Sequence, residues 1–210
     1  MAAAGVALLL LTALVGPLAA PYAFDAQDLD RRLEGPSLAH PLGLDELGRD
    51  VVSRLLTGAR VSVAVGLAVV GLAGTFGTLL GALAGAVGGK ADSALMRAID
   101  VFLAFPGILL AIALVAVLGP ALDHVVLALV VIGWVGYARL VRGQVLELRE
   151  QEFVLAARSA GVPLARIVFR HLLPNILPVM VVQASLGLAG AILAEASLSF
   201  LGLGIQPPTP

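Results

Sequence analysis

Cysteine is missing from this 210-residue chain, and charge is scarce. Without cysteine there is no disulfide staple, no thiolate metal site and no thiol nucleophile. Only 13% of the residues are charged, where a soluble domain carries roughly a quarter. The formal net charge of −1 leaves no basic footprint for nucleic acid, which removes that class of partner. Hydrocarbon stands in place of charge: 60% of the residues are hydrophobic and the mean hydropathy is +1.02. A surface of that kind aggregates in water, so lipid is the expected solvent. Glycine is abundant, at 24 residues, which suits helices packed closely in a membrane.

The few charges are bunched. Residues 2–24, 61–89, 101–122 and 125–138 carry none, and 172–210 carries only Glu195. Crossing the hydrocarbon core takes about 20 apolar residues as a helix. Four of the five runs have that length. The run after His124 is short, but Arg139 and Arg142 can extend their stems and keep their heads at the interface. The expectation is an all-α integral membrane protein with five transmembrane helices in one domain, 1–210. The first run ends in Leu18-Ala19-Ala20, which resembles a signal-peptide cleavage site, yet no Lys or Arg precedes it. We read it as an uncleaved helix.

Orientation follows from the basic residues. Lys90, Arg97, Arg139, Arg142, Arg149, Arg158, Arg166 and Arg170 fall in the two segments after spans two and four. Against these eight, the segment after span one holds five: Arg31, Arg32, Arg49, Arg54 and Arg60. The positive-inside rule then puts the N-terminus in the cytoplasm.

Two polar excursions leave the membrane. In the outer one, 25–60, the stretch 45–56 reads as an interfacial amphipathic helix with Leu47, Val51, Val52, Leu55 and Leu56 on one face. Asp45 would cap it and Asp50 would pair with Arg54. The alternative is a solvated loop. In the inner one, 139–171, a helix over 147–160 groups Phe153, Ala156, Ala157 and Ala160 on one side. Gly161-Val162-Pro163 breaks it, and a second short helix over 164–171 returns to the bilayer. An elbow of that size has no core of its own, so it reads as a docking element for another protein. Within span two, Gly77, Gly81 and Gly85, with Ala82 and Ala86 alongside, allow a neighbouring backbone to approach. Pro106, Pro120, Pro174 and Pro178 lie at or near span ends, where a missing donor costs least.

Three stretches carry a family resemblance. Ala156-Ala157-Arg-Ser-Ala-Gly161, followed by His171-Leu-Leu173-Pro174, resembles the cytoplasmic Glu-Ala-Ala loop of binding-protein-dependent ABC permeases. Leu155 stands where that pattern has its acid, with Glu152 a turn earlier, and His171 stands where it has isoleucine. His40-Pro-Leu-Gly-Leu-Asp-Glu-Leu-Gly-Arg-Asp50 and Leu198-Ser-Phe-Leu-Gly-Leu-Gly204, then Gln206-Pro-Pro-Thr-Pro210, are similar to segments of the dipeptide/oligopeptide/nickel branch, C-type subunit. The resemblance covers roughly residues 40–210. It implies half of a translocation path for short peptides, with nickel or a nickel chelate as the alternative cargo. It further implies a heterodimeric second permease subunit, two ATP-binding subunits, an extracytoplasmic solute-binding protein and a place in the bacterial inner membrane. Glu152, Phe153, Ala156, Ala157 and Gly161 would form the docking surface. No catalytic residue, cofactor or metal site is implied in this chain. The family has a sixth helix and a short inner C-terminus, so a sequence stopping at Pro210 reads as truncated.

Other residues carry less. Glu195 lies well inside a span, where a carboxylate costs about 2.5–3.5 kcal/mol on insertion scales. It is either a substrate-path residue or a structural acid hydrogen-bonded near Ser197 and Ser199. Asp100 reads as paired with Arg97 or as a cap, and Asp123 with His124 is too small a set for a metal. His40 and His171 read as structural. Trp134, Tyr137 and Arg139 read as an inner-interface anchor. A membrane-embedded enzyme would need more than Glu195. A self-contained channel or carrier would leave the elbow without a purpose.

Overall fold

Helices make up the regular structure of residues 2–204, which the computed structural model describes, with side chains in the first helix described at positions 5, 9 and from 11 onward. The last motif stretch, 206–210, lies outside the described residues. The chain order is α1 (Ala2–Ala19), a single 3-10 turn (Leu29–Arg31), α2 (Val51–Val87), α3 (Gly89–Leu103), α4 (Gly107–Leu118) and α5 (Leu122–Leu148). Then come α6 (Glu152–Ser159), α7 (Leu164–Ile167), a π turn (Val168–Leu172) and α8 (Leu173–Phe200).

The amphipathic helix expected over 45–56 starts instead at Val51 and runs without a break into span two. Asp45 does not cap it. Its carboxylate accepts from the backbone of Leu47 and Arg49 at 2.9 and 3.0 Å, and Gly48 takes a left-handed φ of +70°, which closes a turn there. Asp50 is the cap, accepting from the Ser53 backbone N–H at 2.7 Å and the Ser53 hydroxyl at 2.8 Å. Arg54 pairs with Asp45, not with Asp50.

The third expected span, 101–122, is not a single helix. Pro106 has no N–H to continue the ladder and pushes Phe105 out of the helical region, so α3 and α4 meet at 81°. At 12 residues, α4 reaches only about 18 Å. By contrast, span four is longer than expected: α5 continues past Arg139 and Arg142 to Leu148. Among the described residues three helices are long and apolar enough to cross a membrane, namely α2, α5 and the continuous run through α7 to the end of α8, and a fourth crossing requires α3 and α4 together. Helix α1 lies within the first expected run, 2–24, and ends five residues before its close.

Helices α2 and α5 form the spine, and small residues explain their closeness. A methyl group at Gly77 or Gly81 would collide with the α5 backbone around Trp134 and Ala138, while one at Gly85 would meet Val145 at 3.0 Å. Three buried clusters lie along this seam. One joins Val65, Val69, Val115 and Leu129 to Leu198, the middle one centres on Trp134 and Tyr137, and the last gathers Ala82, Val141, Val145 and the start of the elbow. Trp134 and Tyr137 are therefore core residues and no interface belt, because α3 and α2 cover them; Phe76 and Phe102 meet the indole edge-on at 5.6 and 5.5 Å. Asp100 is paired with Arg139 at 3.7 Å rather than with Arg97.

Candidate functional site

The elbow is built by two helix stops. The expected helix over 147–160 is in fact two pieces: α5 ends at Leu148, three residues turn, and α6 occupies Glu152–Ser159. Arg149 fixes the turn by donating from Nη1 to the Gly85 carbonyl at 3.0 Å, at the end of α2. Nearby, Arg142 grips Asp92 of α3 with two guanidinium nitrogens, one of them at 2.7 Å. The exit from α6 is a Schellman cap. Val162 N–H donates to the Ala157 carbonyl at 3.0 Å and Gly161 N–H to the Arg158 carbonyl at 2.9 Å. Gly161 sits at φ +76° with open space where a side chain would go, so conformation, not crowding, demands glycine.

After α7 the ladder widens into a π turn. Pro174 cannot donate to the carbonyl four residues back, and Leu173 N–H instead reaches Val168 five residues back. The second short helix expected over 164–171 is thus no separate element but the first part of the run into α8.

The sequence-derived docking residues divide into two groups. Glu152, Phe153, Ala156 and Gly161 face outward, with Leu155 and Leu164 beside them. Ala157 does not join that face; it is half-buried against the cluster of Ala82, Val141 and Val145. The residue that seats the elbow is Val154, fully buried at 0% exposure among Val141, Val145, Ile167, Val168 and Leu172. Sequence reasoning missed it, although its three-residue spacing from Ala157 was a usable signal. Arg149 was counted for its charge only, and its capping bond was missed.

Glu195 lies apart from the elbow, near the other end of α8. It is 7% exposed and accepts from the Ser199 hydroxyl at 2.7 Å. Ser197 does not help; it bonds its own helix at the Leu193 carbonyl. Between α2, α5 and α8 is a cavity of about 200 Å³ lined by Tyr137, Gln183 and otherwise aliphatic or small residues. Glu195 is not among its lining residues.

In the outer segment a buried polar lock holds the chain to the top of α2. The His40 ring nitrogen meets Asp50 at 2.9 Å, the Tyr22 ring lies against His40 at 4.8 Å, and Tyr22 N–H donates to the Ser53 hydroxyl at 3.1 Å. Burial disfavours a charged Asp50, but hydrogen bonds from Ser53 and His40 outweigh it and hold the carboxyl below its ordinary range. Asp45 is lowered in the same way, its burial outweighed by the Arg49 and Leu47 backbone and by the Arg49 and Arg54 guanidinium groups.

A bundle of long apolar helices with a small exposed elbow defines a membrane component. Residues 77–210 match the family described as binding-protein-dependent transport system inner membrane component, and the chain belongs to that family. It is 45% identical over 201 residues to the dipeptide transport system permease protein DppC of Alkalihalophilus pseudofirmus, covering 96% of this chain and 66% of that one. It is 44% identical over 204 residues to the probable D,D-dipeptide transport system permease protein DdpC of Escherichia coli, covering 97% and 68%. It is 47% identical over 211 residues to the glutathione transport system permease protein GsiD of Pectobacterium atrosepticum, covering 99% and 70%. The chain spans about two thirds of the length of these curated relatives. It is a multi-pass protein of the bacterial inner membrane.

Proposed function

We propose that this chain forms half of the translocation path of an ATP-driven importer of short peptides. Its partners are a second permease subunit, two ATP-binding subunits and an extracytoplasmic solute-binding protein. The N-terminus is cytoplasmic, and α1, α2, the bent α3–α4 pair, α5 and α8 make the five crossings. The carrying observation is the elbow: Val154 plugs it into the cluster shared by α2, α5 and the start of α8, while Glu152, Phe153, Ala156 and Gly161 stay exposed. A partner that pushes on the exposed face moves the membrane helices through that plug, because packed cores shift between discrete arrangements. The peptide names of the relatives support the choice of cargo.

The test is deletion of the gene in its host, followed by uptake of a labelled dipeptide and of labelled nickel ion. Dipeptide uptake alone is expected to disappear, to return with the wild-type gene, and not to return with Gly161→Trp. Loss of nickel uptake alone would refute the peptide cargo, and a strain with both uptakes intact would refute the functional reading for these cargoes.

A further inference from the structure

Tyr137 stands near the middle of α5 and is 4% exposed, yet its hydroxyl has no hydrogen-bond partner among the described residues. A buried hydroxyl left unpaired is destabilising, and phenylalanine would fill the same space without that cost. The hydroxyl points at α8, where Gly187 leaves room for it; a Cβ there would fall 2.5 Å from the oxygen. Gln183 lies one helical turn before Gly187, on the same face of α8. Its carboxamide, half-buried, makes no hydrogen bond among the described residues. Both side chains line the cavity of about 200 Å³ between α2, α5 and α8. Gly133, Gly187 and Gly190 give the cavity its room, and no charged residue lines it.

A buried hydroxyl and a half-buried carboxamide, both unpaired among the described residues, are free to take a transient partner. Each of these two both donates and accepts, and neither carries charge. That pattern complements the N–H and C=O of a peptide bond and supplies no countercharge for an ammonium or carboxylate terminus. Glu195, the acid that sequence singled out for the path, is already engaged by Ser199.

We propose that the Tyr137 hydroxyl and the Gln183 carboxamide form a contact point in the intramembrane path that takes the uncharged peptide group of the cargo. This rests on the peptide-importer reading above. In this arrangement α8 covers the hydroxyl, and the proposal requires that separation of α8 from α5 expose it to the passing peptide.

The experiment uses the complete transporter in proteoliposomes with saturating binding protein, and reads dipeptide moved per ATP hydrolysed. The probes are labelled alanyl-alanine and its analogue methylated on the peptide nitrogen. The variants are Tyr137→Phe, Gln183→Leu and Gly190→Leu, the last at a cavity-lining position with no atom within 4 Å of an added Cβ. Each polar substitution is expected to lower uptake per ATP about three- to tenfold, the value of one neutral hydrogen bond. Each is also expected to shrink the preference for alanyl-alanine over the methylated probe, and Gly190→Leu to block both probes. Unchanged uptake and preference in Tyr137→Phe and Gln183→Leu would overturn the proposal and leave the importer reading standing. Loss of co-purification with the partner permease would also overturn it, by assigning the pair to the subunit interface. A wild-type complex that hydrolyses ATP but moves no dipeptide would sink the importer reading and this inference with it.

Discussion

The outer segment and the elbow are of similar length, yet they are fastened by opposite means. The outer segment is held by buried polar contacts: Asp50 receives Ser53 and His40, and Asp45 receives Arg49 and Arg54. The elbow is held chiefly by hydrocarbon, with Val154, Ile167, Val168 and Leu172 buried together and Arg149 adding one bond to the Gly85 carbonyl. Directional bonds fix one geometry and resist sliding. Apolar contact is non-directional, so a seated valine can move with its neighbours and lose little. The lock suits a segment that must hold its shape, and the plug suits one that must transmit movement.

The sharpest way to break the comparison is a charge in the plug. Val154→Asp buries a carboxylate with no partner and is expected to cost about 3–5 kcal/mol, the penalty of an uncompensated buried charge. Limited proteolysis should then cut within 149–172 while leaving the outer segment protected. A Val154→Asp protein with native protease resistance would show that the elbow is not seated through this residue.

A smaller effect is expected in the lock. Asp50→Ala removes the helix cap and leaves His40 without its acceptor, at a cost of about 2 kcal/mol. Its signature should be spatially opposite, with new cleavage in 25–50 and an intact elbow. Cleavage in both regions would mean that lock and plug unfold together.

Much of this architecture was legible because its signals are local. The glycines at 77, 81 and 85 announce a close helix contact by period alone, and Gly161 before Pro163 announces a helix stop. The errors arose where two local rules compete. Asp45 satisfies the composition of a cap, but its own carboxylate closes a turn with Leu47 and Arg49, and the cap passes to Asp50. Trp134 and Tyr137 lie beside Arg139 in sequence and so resemble an interface belt, while their burial depends on α2 and α3, distant along the chain. The orphaned Tyr137 hydroxyl was invisible for the same reason, being defined by what fails to meet it, and Val154 left only its spacing from Ala157 as a signal.

Acid offers the gentlest probe of the difference. Asp50 has its carboxyl depressed in the folded protein, so it binds protons less readily there than in the unfolded chain. Its stabilising contribution is then fully present above the unfolded carboxylate value of about 3.9 and fades as the pH falls through the lower folded value. Asp45 acts in the same direction. Lowering the pH from 6 towards 3 should therefore loosen the outer segment before the apolar plug around Val154 and Ile167, whose residues do not titrate. Hydrogen exchange of the amides at Leu44, Val51 and Ser53, followed against those at Val154 and Ile167, reads this directly. Exchange that rises earlier in the outer set supports polar locking; equal or reversed order would mean that Asp50 and Asp45 do not carry the segment.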